Sequence, residues 1–432
     1  MVIDRAPRPP ALCGQSLLSA NGTPMKYQNP HARPTGEPVY QGNILRFYLF
    51  IGLTGFVLWT PIWVVFFERR GLSLSQIGLL EVVAFGLLAV SEVPTGTVAD
   101  VWGRKVSMAI GAILHGVAVL GILTEVLSPI FLVAYAIWGV SFSFVTGAGE
   151  AFAYDSLKAD GRVDAYPKVA SRHAIIRQAA GGMSGVVGGL VAAYDLRLCF
   201  ILTAVACFAG AGVILTGHEP PSGEAEDPGG SGYWRTLRSG LRIVTGDRYV
   251  RVVVLIGALV SLVTTLLAYT AFQPYADEVG MPVWTFGGIL LGMELSGIGG
   301  SYVAPRVVTR RTRERLLAVA LLAVAGCLIL LWVGASRPAV ILFAVTAALT
   351  ALARPVLSSM LNDLIPSRQR ATVISIQSLI AMLGCGLVQL ALFAIADRTN
   401  MAFALGLAGL LMVIAAVPLL RELNRSAPAS VP

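Results

Sequence analysis

The 432 residues are 56% hydrophobic and only 13% charged, with a formal net charge of +8. That charged share is about half that of an ordinary soluble domain, so a water-soluble fold, which needs a polar coat, is excluded. The positive charge does not indicate nucleic acid, because the cations are spread over many short loops and build no single basic face.

Taken in chain order, the first 43 residues are Pro-rich and polar, with no apolar core before the first long apolar run. They read as a disordered tail and not as a secretory leader, and Met25 is an alternative start. Apolar runs then recur at 45–67, 76–98, 106–124, 129–153, 170–193, 197–216, 252–275, 283–304, 315–334, 338–360, 371–395 and 401–420. Crossing a hydrocarbon layer about 30 Å thick takes about 20 residues at a helical rise of about 1.5 Å. Lipid offers no partner for unpaired backbone groups, and these runs are too long and too uniformly apolar for barrel strands, so they are helices. The expected fold is an all-α membrane protein with twelve transmembrane helices in two pseudo-symmetric six-helix bundles, 44–217 and 251–421. A linker at 218–250 joins them, and a short tail follows at 422–432.

Cations mark one side of the layer. With the amino terminus in the cytoplasm, Arg104, Lys105, Lys158, Arg162, Lys168 and the clusters at 235–251, 306–315 and 368–370 fall inside. The opposite loops hold Arg69, Arg70, Arg197, Arg337 and Arg398, roughly 25 cations against 5, so both termini are expected in the cytoplasm. The five cysteines have no metal-ligand spacing and read as small apolar packers. In the linker, a Pro/Gly/Glu stretch at 219–230 precedes a basic amphipathic piece in which Trp234, Leu237, Leu241 and Val244 share a helical face. It reads either as a helix in the headgroup layer or as a solvated loop helix.

The halves correspond weakly at an offset of about 208 residues, with Tyr154-Asp155 opposite Asn362-Asp363. A stronger signal lies between the second and third spans: Gly96, Asp100, Gly103, Arg104 and Lys105 fit G-x-x-x-D-x-x-G-R-K at every position. Gly96 permits close helix approach, Gly103 permits a tight turn, and the cations suit a cytoplasmic loop. This loop resembles the signature of the major facilitator superfamily, and Gly149–Leu157 and Arg370–Ser375 resemble elements of its bacterial members. The resemblance spans about 45–420. It implies a cytoplasmic latch in which Asp100 faces the start of the eleventh span near Arg370, while Arg104 pairs with Asp155. The alternative is that Arg104 and Lys105 only orient the chain and Asp155 only caps a helix. The equivalent loop of the second half keeps cations at 306–313 but no acid, so no second latch is implied.

Ionisable groups at membrane depth are functional candidates by default. Glu294, mid-way along the eighth span, suits a proton or a cationic solute, or else an interhelical hydrogen bond. Arg177 and Arg354 lie toward the cytoplasmic third, where Glu150 is placed to pair with one of them; left unpaired, either reads as an anion site. His115 reads as a helix contact or a proton relay, and Glu81 and Gln273 as outer-side residues of an entry route. Gly181-Gly182, Gly185 and Gly188-Gly189 in the fifth span are similar to the antiporter pattern of the superfamily, with Val186 in place of its proline. Small residues at this spacing also serve plain helix packing.

No Walker loop, metal-spaced His/Cys set or nucleophile elbow is present in the sequence, so the expectation is a carrier that is no enzyme, needs no cofactor and cannot hydrolyse ATP. The leading reading is a monomeric, proton-coupled exporter of small organic or drug-like compounds in the bacterial inner membrane, with a small-molecule substrate, a proton or other coupling ion and the lipid bilayer as partners. Uptake of a polar or anionic solute is the alternative, and a non-transporting receptor a third.

Overall fold

The computed structural model describes residues 40–221, 231–309, 312–365 and 367–426, all in helices and short connections. The first half contains α1 (Gln41–Thr54), α2 (Trp63–Arg69), α3 (Leu74–Trp102), α4 (Arg104–Gly121), α5 (Pro129–Ser141), α6 (Thr146–Ala159), α7 (Tyr166–Ala192) and α8 (Leu196–Leu215). α9 (Ser231–Gly246) lies in the linker. The second half contains α10 (Arg248–Leu266), α11 (Phe272–Glu278), α12 (Phe286–Val307), α13 (Arg313–Val333), α14 (Ile341–Leu364), α15 (Ser367–Arg398) and α16 (Met401–Ser426).

Among the described residues, 10 helical stretches are long and apolar enough to cross a membrane. The other two expected spans are the first and the eighth, and each falls short for a visible reason. The eighth, α12, carries Glu294, Arg306 and several glycines, which dilute its apolarity. The first is split into α1 and α2, because Pro61 has no N–H to donate and disfavours helix at Thr60. The Leu58 N–H freed by this break donates instead to Thr203 Oγ1 on α8, 3.0 Å away.

Other spans are interrupted too. The fourth is α5 and α6 with a turn at 142–145 between them. The seventh is α10 and α11 joined by a π-helical turn, Leu267–Ala271. Helix starts follow local chemistry: Ser73 and Gln76 form a reciprocal capping box at α3, and Asp247 accepts from the N–H groups of Tyr249 and Val250 at α10.

Within the first bundle α4 packs on α5 and α8, and within the second α12 packs on α14 and α13 on α16. Between bundles, α3 lies along α15 and α7 along α12. The loops rich in Arg and Lys share one end of the molecule, the basic end; the other is the far end. At the basic end α1 is tied to its own bundle by Asn43, which is fully buried, donates to Ser156 Oγ at 2.9 Å and exchanges hydrogen bonds with the His218 backbone. α9 packs against α10 and the start of α15: a Cβ at Gly240 would fall 2.4 Å from the Thr372 side chain. Val244 of its apolar face is buried and Leu241 is exposed, while the Trp234 and Leu237 side chains lie outside the described residues.

The glycines of the fifth span meet α12. A Cβ on Gly287 would sit 2.0 Å from the Gly185 carbonyl oxygen, and one on Gly189 would sit 2.7 Å from that of Trp284. These residues seat the two bundles backbone to backbone near the far end, which is the packing use of a small-residue stripe.

Candidate functional site

Between the bundles lies a cavity of about 1020 Å³, reaching from Tyr166 and Val169 near the basic end to Trp59, Glu81 and Gln389 at its floor. The first bundle supplies Glu81 from α3, Trp138 from α5, Glu150 from α6, and His173 and Arg177 from α7. Tyr269, Glu294 and Gln389 come from the second. Among the described residues its charged lining is therefore three carboxylates against one guanidinium, within walls dominated by Trp, Phe and aliphatic groups. Glu150 and Arg177 are exposed to the space between the bundles, and Glu294 is half-buried.

The expected pairing of Glu150 with Arg177 or Arg354 is not formed. Among the described residues, none of these three makes an ion pair, and Glu294 makes neither an ion pair nor a hydrogen bond. Glu150, Arg177 and Glu294 line an open cavity, where the cost that favours pairing in a dry interior is reduced. Arg354 is exposed and does not line the cavity, although its charge acts on Tyr269 together with those of Glu294 and Arg177.

The floor holds a polar group set in aromatic rings. Glu81, 3% exposed, accepts a hydrogen bond of 2.5 Å from the Tyr135 hydroxyl. The rings of Tyr135 and Trp138 lie 5.3 Å apart, and those of Trp138 and Trp59 lie 5.5 Å apart. Close helix approach brings the groups together. A Cβ on Gly139 would touch the Ala84 carbonyl at 2.8 Å, and one on Gly78 would sit 2.8 Å from the Leu390 Cα.

Beyond the floor, the far end is closed. Gln273, expected on an entry route, is instead fully buried and does not line the cavity. Its Oε1 accepts from Val64 N–H at 2.9 Å, and its Nε2 donates to the carbonyls of Thr60 and Tyr269 at 2.9 and 2.8 Å. The same Tyr269 carbonyl, in the π-helical turn, accepts from the Trp63 indole at 2.9 Å. Arg69 pairs with Asp277 at 3.2 Å, and Asp397 at the end of α15 accepts from the N–H groups of Leu74 and Ser75 and from the Ser75 hydroxyl.

Glu68, past residue 67 where the first span ends, stands among these groups. Its pKa is raised to about 7 by burial first, then by Asp277 and Asp397, against the lowering effect of Arg69. A carboxyl whose pKa is higher when the far end is closed favours closure while protonated and opposes it once ionised. The penalty is absent below the ordinary carboxyl value and complete above about 7. Labelling of a cysteine placed in the cavity by a reagent added at the far end should therefore quicken between pH 5 and 8. Glu68→Gln should flatten that profile, and an unchanged profile in the variant would refute the assignment.

At the basic end the signature loop is assembled largely as its residue types suggest. Gly103 has φ +97°, a left-handed backbone that favours glycine. Arg104 forms an ion pair with Asp155, which is 7% exposed. The contact is ionic and not an aligned hydrogen bond. Both partners belong to the first bundle, so the pair ties α4 to α6 within one bundle. Lys105 Nζ donates to the Gly217 carbonyl at 3.0 Å. Gly96 has open space where a Cβ would be, contrary to the expected close helix approach, because the bundles are apart at this end. Asp100 is exposed in the last turn of α3, and the Arg370 side chain expected near it lies outside the described residues.

One partner escaped sequence reasoning. Glu219, just past α8, accepts from the Arg104 and Lys105 backbone N–H groups at 2.6 and 3.0 Å, placing a carboxylate on the positive end of α4. Glu219→Ala should lower stability by about 1 kcal/mol, read as a modest fall in melting temperature that grows at low ionic strength. His115 is also reassigned. It is buried between α4 and α5, 3.4 Å from Ser141 Oγ and edge-on to Phe142, and it does not line the cavity. It is a helix contact in this structure.

Two helical bundles around a central, solute-sized cavity, closed at one end, define a membrane transporter of the two-bundle type. The chain belongs to the major facilitator superfamily, whose family model matches residues 45–388. Solved structures agree in fold. The nucleoside transporter NupG superposes with a TM-score of 0.71 at 14% identity, covering 91% of this chain and 100% of that one. A bacterial homolog of the human lysosomal transporter Spinster, in an inward-facing and unoccupied conformation, gives 0.71 at 16% identity with the same coverage. A D-xylose-proton symporter gives 0.59 at 15%, covering 85% and 96%. No curated protein matches the sequence.

Proposed function

We propose that this transporter exports small organic, amphipathic compounds in exchange for protons by alternating access, as a monomer of the bacterial inner membrane with both termini and the basic end in the cytoplasm. One observation carries the reading: an aromatic-walled cavity with three carboxylates, Glu81, Glu150 and Glu294, against the single Arg177, reached from the end that bears the cations. Glu294 is the proton or cation site nearest the centre. The signature loop biases the equilibrium between cytoplasm-open and far-end-open states, with Asp100 of α3 meeting the start of α15 when the basic end closes. The test is flux in proteoliposomes carrying a pH gradient, with lipophilic organic cations in the solute panel. No solute movement coupled to that gradient would end the export reading.

A second reading rests on Arg177, which faces the cavity without an ion-pair partner among the described residues. It is uptake of a polar or anionic solute, in keeping with a nucleoside transporter and a sugar symporter among the structural neighbours. Anion uptake abolished by Arg177→Ala, with Arg354→Ala as comparison and the protein still in the membrane, would favour it.

A further inference from the structure

The cavity has two chemically different parts. Toward the basic end Glu150, His173, Arg177 and Glu294 stand in an open space of mixed charge. The floor contains one carboxylate, a primary amide and indoles, packed where α3, α5 and α15 cross. Several of those polar atoms lack partners. Gln389 is fully buried, yet neither its Oε1 nor its Nε2 is hydrogen-bonded, and the Trp59 and Trp138 indole N–H groups are likewise unpaired among the described residues. Glu81 has one oxygen engaged by Tyr135 and borders the same space.

A buried amide with both atoms unmet is costly, and such groups in a native fold call for an explanation. A ligand group able to donate to the Glu81 carboxylate and the Gln389 oxygen at once would satisfy both. A protonated amine does this: it carries several N–H donors and a charge opposite to that of Glu81. The Trp59 and Trp138 rings, which line the same space, suit a cation and cover the apolar body attached to it. A neutral alcohol offers one donor and no charge, and an anion would meet Glu81 head-on.

We propose that the cavity floor is a head-group subsite for the ammonium of an arylalkyl amine, with Glu81 as counter-ion, Gln389 as hydrogen-bond partner and Trp59 and Trp138 as the wall. The Tyr135 hydroxyl positions Glu81. This rests on the reading of the cavity as the solute site and assigns the substrate class there.

The experiment is calorimetric titration of the purified full chain with a matched pair of probes, 2-naphthylmethylammonium and 2-naphthylmethanol. The wild-type protein should prefer the ammonium by about tenfold or more, the range expected for a desolvated cation between a carboxylate and aromatic faces. Glu81→Gln should collapse that preference to within about threefold while the alcohol binds as before, which also shows that the variant is folded. Gln389→Ala should weaken the ammonium. A wild-type protein that binds neither probe or does not discriminate, or a Glu81→Gln variant that still discriminates, overturns the proposal. Proton-coupled flux that persists in that last case leaves the transport reading standing. Ammonium binding without any flux does the reverse.

Discussion

Replacing Gln273 by leucine should loosen the far end more than any other single change. The native amide satisfies a buried backbone N–H and two carbonyls, and joins α2 and the turn before it to the π-helical turn of the seventh span. Leucine fills much of the volume but strands the Val64 N–H at a fully buried site. With a net value of about 1 kcal/mol for each hydrogen bond and a further penalty for the orphaned donor, the closed form loses about 3 kcal/mol. That corresponds to about a hundredfold shift toward far-end opening. A cysteine introduced at Thr265, half-buried in the cavity lining, reports the change through its rate of labelling by a membrane-impermeant thiol reagent added at the far end. Cys13 is replaced by serine beforehand, and Cys199, Cys207, Cys327 and Cys385 are buried. Wild-type labelling in the leucine variant would show that Gln273 does not hold the end shut.

Arg104→Ala should have an effect of similar size and different character. It leaves Asp155 as a nearly buried carboxylate with no counter-ion, at a cost of about 3 kcal/mol. Because both partners sit in the first bundle, the loss should appear as a lower melting temperature, with far-end labelling unaltered. Adding Asp155→Asn removes the stranded charge and should recover part of the deficit, so the two changes are non-additive. A melting temperature that does not fall, or labelling that shifts while stability holds, would instead favour a contact that acts across the bundles.

Much of this molecule is legible one residue at a time. The recurring apolar runs announce helices because a lipid layer has a thickness and no hydrogen-bonding partners. Gly103 declares a left-handed turn and Pro61 marks a break, each through its own backbone chemistry. The signature loop carried the family, confirmed by the match over residues 45–388. Glu294 is identifiable as a candidate site because charge at membrane depth is costly, whereas Glu150 reads as a partner for Arg177 or Arg354; in the structure Glu294, Glu150 and Arg177 all line the cavity, unpaired with one another.

The remainder depended on partners distant in sequence. Gln273 looked like a polar group on an entry route because nothing near it in the chain reveals that Thr60 and Val64 present backbone groups to it. Glu219 read as part of a Pro/Gly/Glu linker, and only the return of the chain from α8 brings it to the start of α4. Gln389 had a signal, an amide within an apolar run, but its lack of partners appears only once α15 is laid along α3. The sequence by itself determined that this chain crosses a membrane and carries the family loop, and it set the expected number and direction of the crossings, since those follow from hydrophobic length and charge side by side. Tertiary structure alone decided which end is closed, which polar groups are consumed in closing it and which are left for a ligand. A hydrogen bond is settled by what meets across two helices, and one chain segment carries only half of that information.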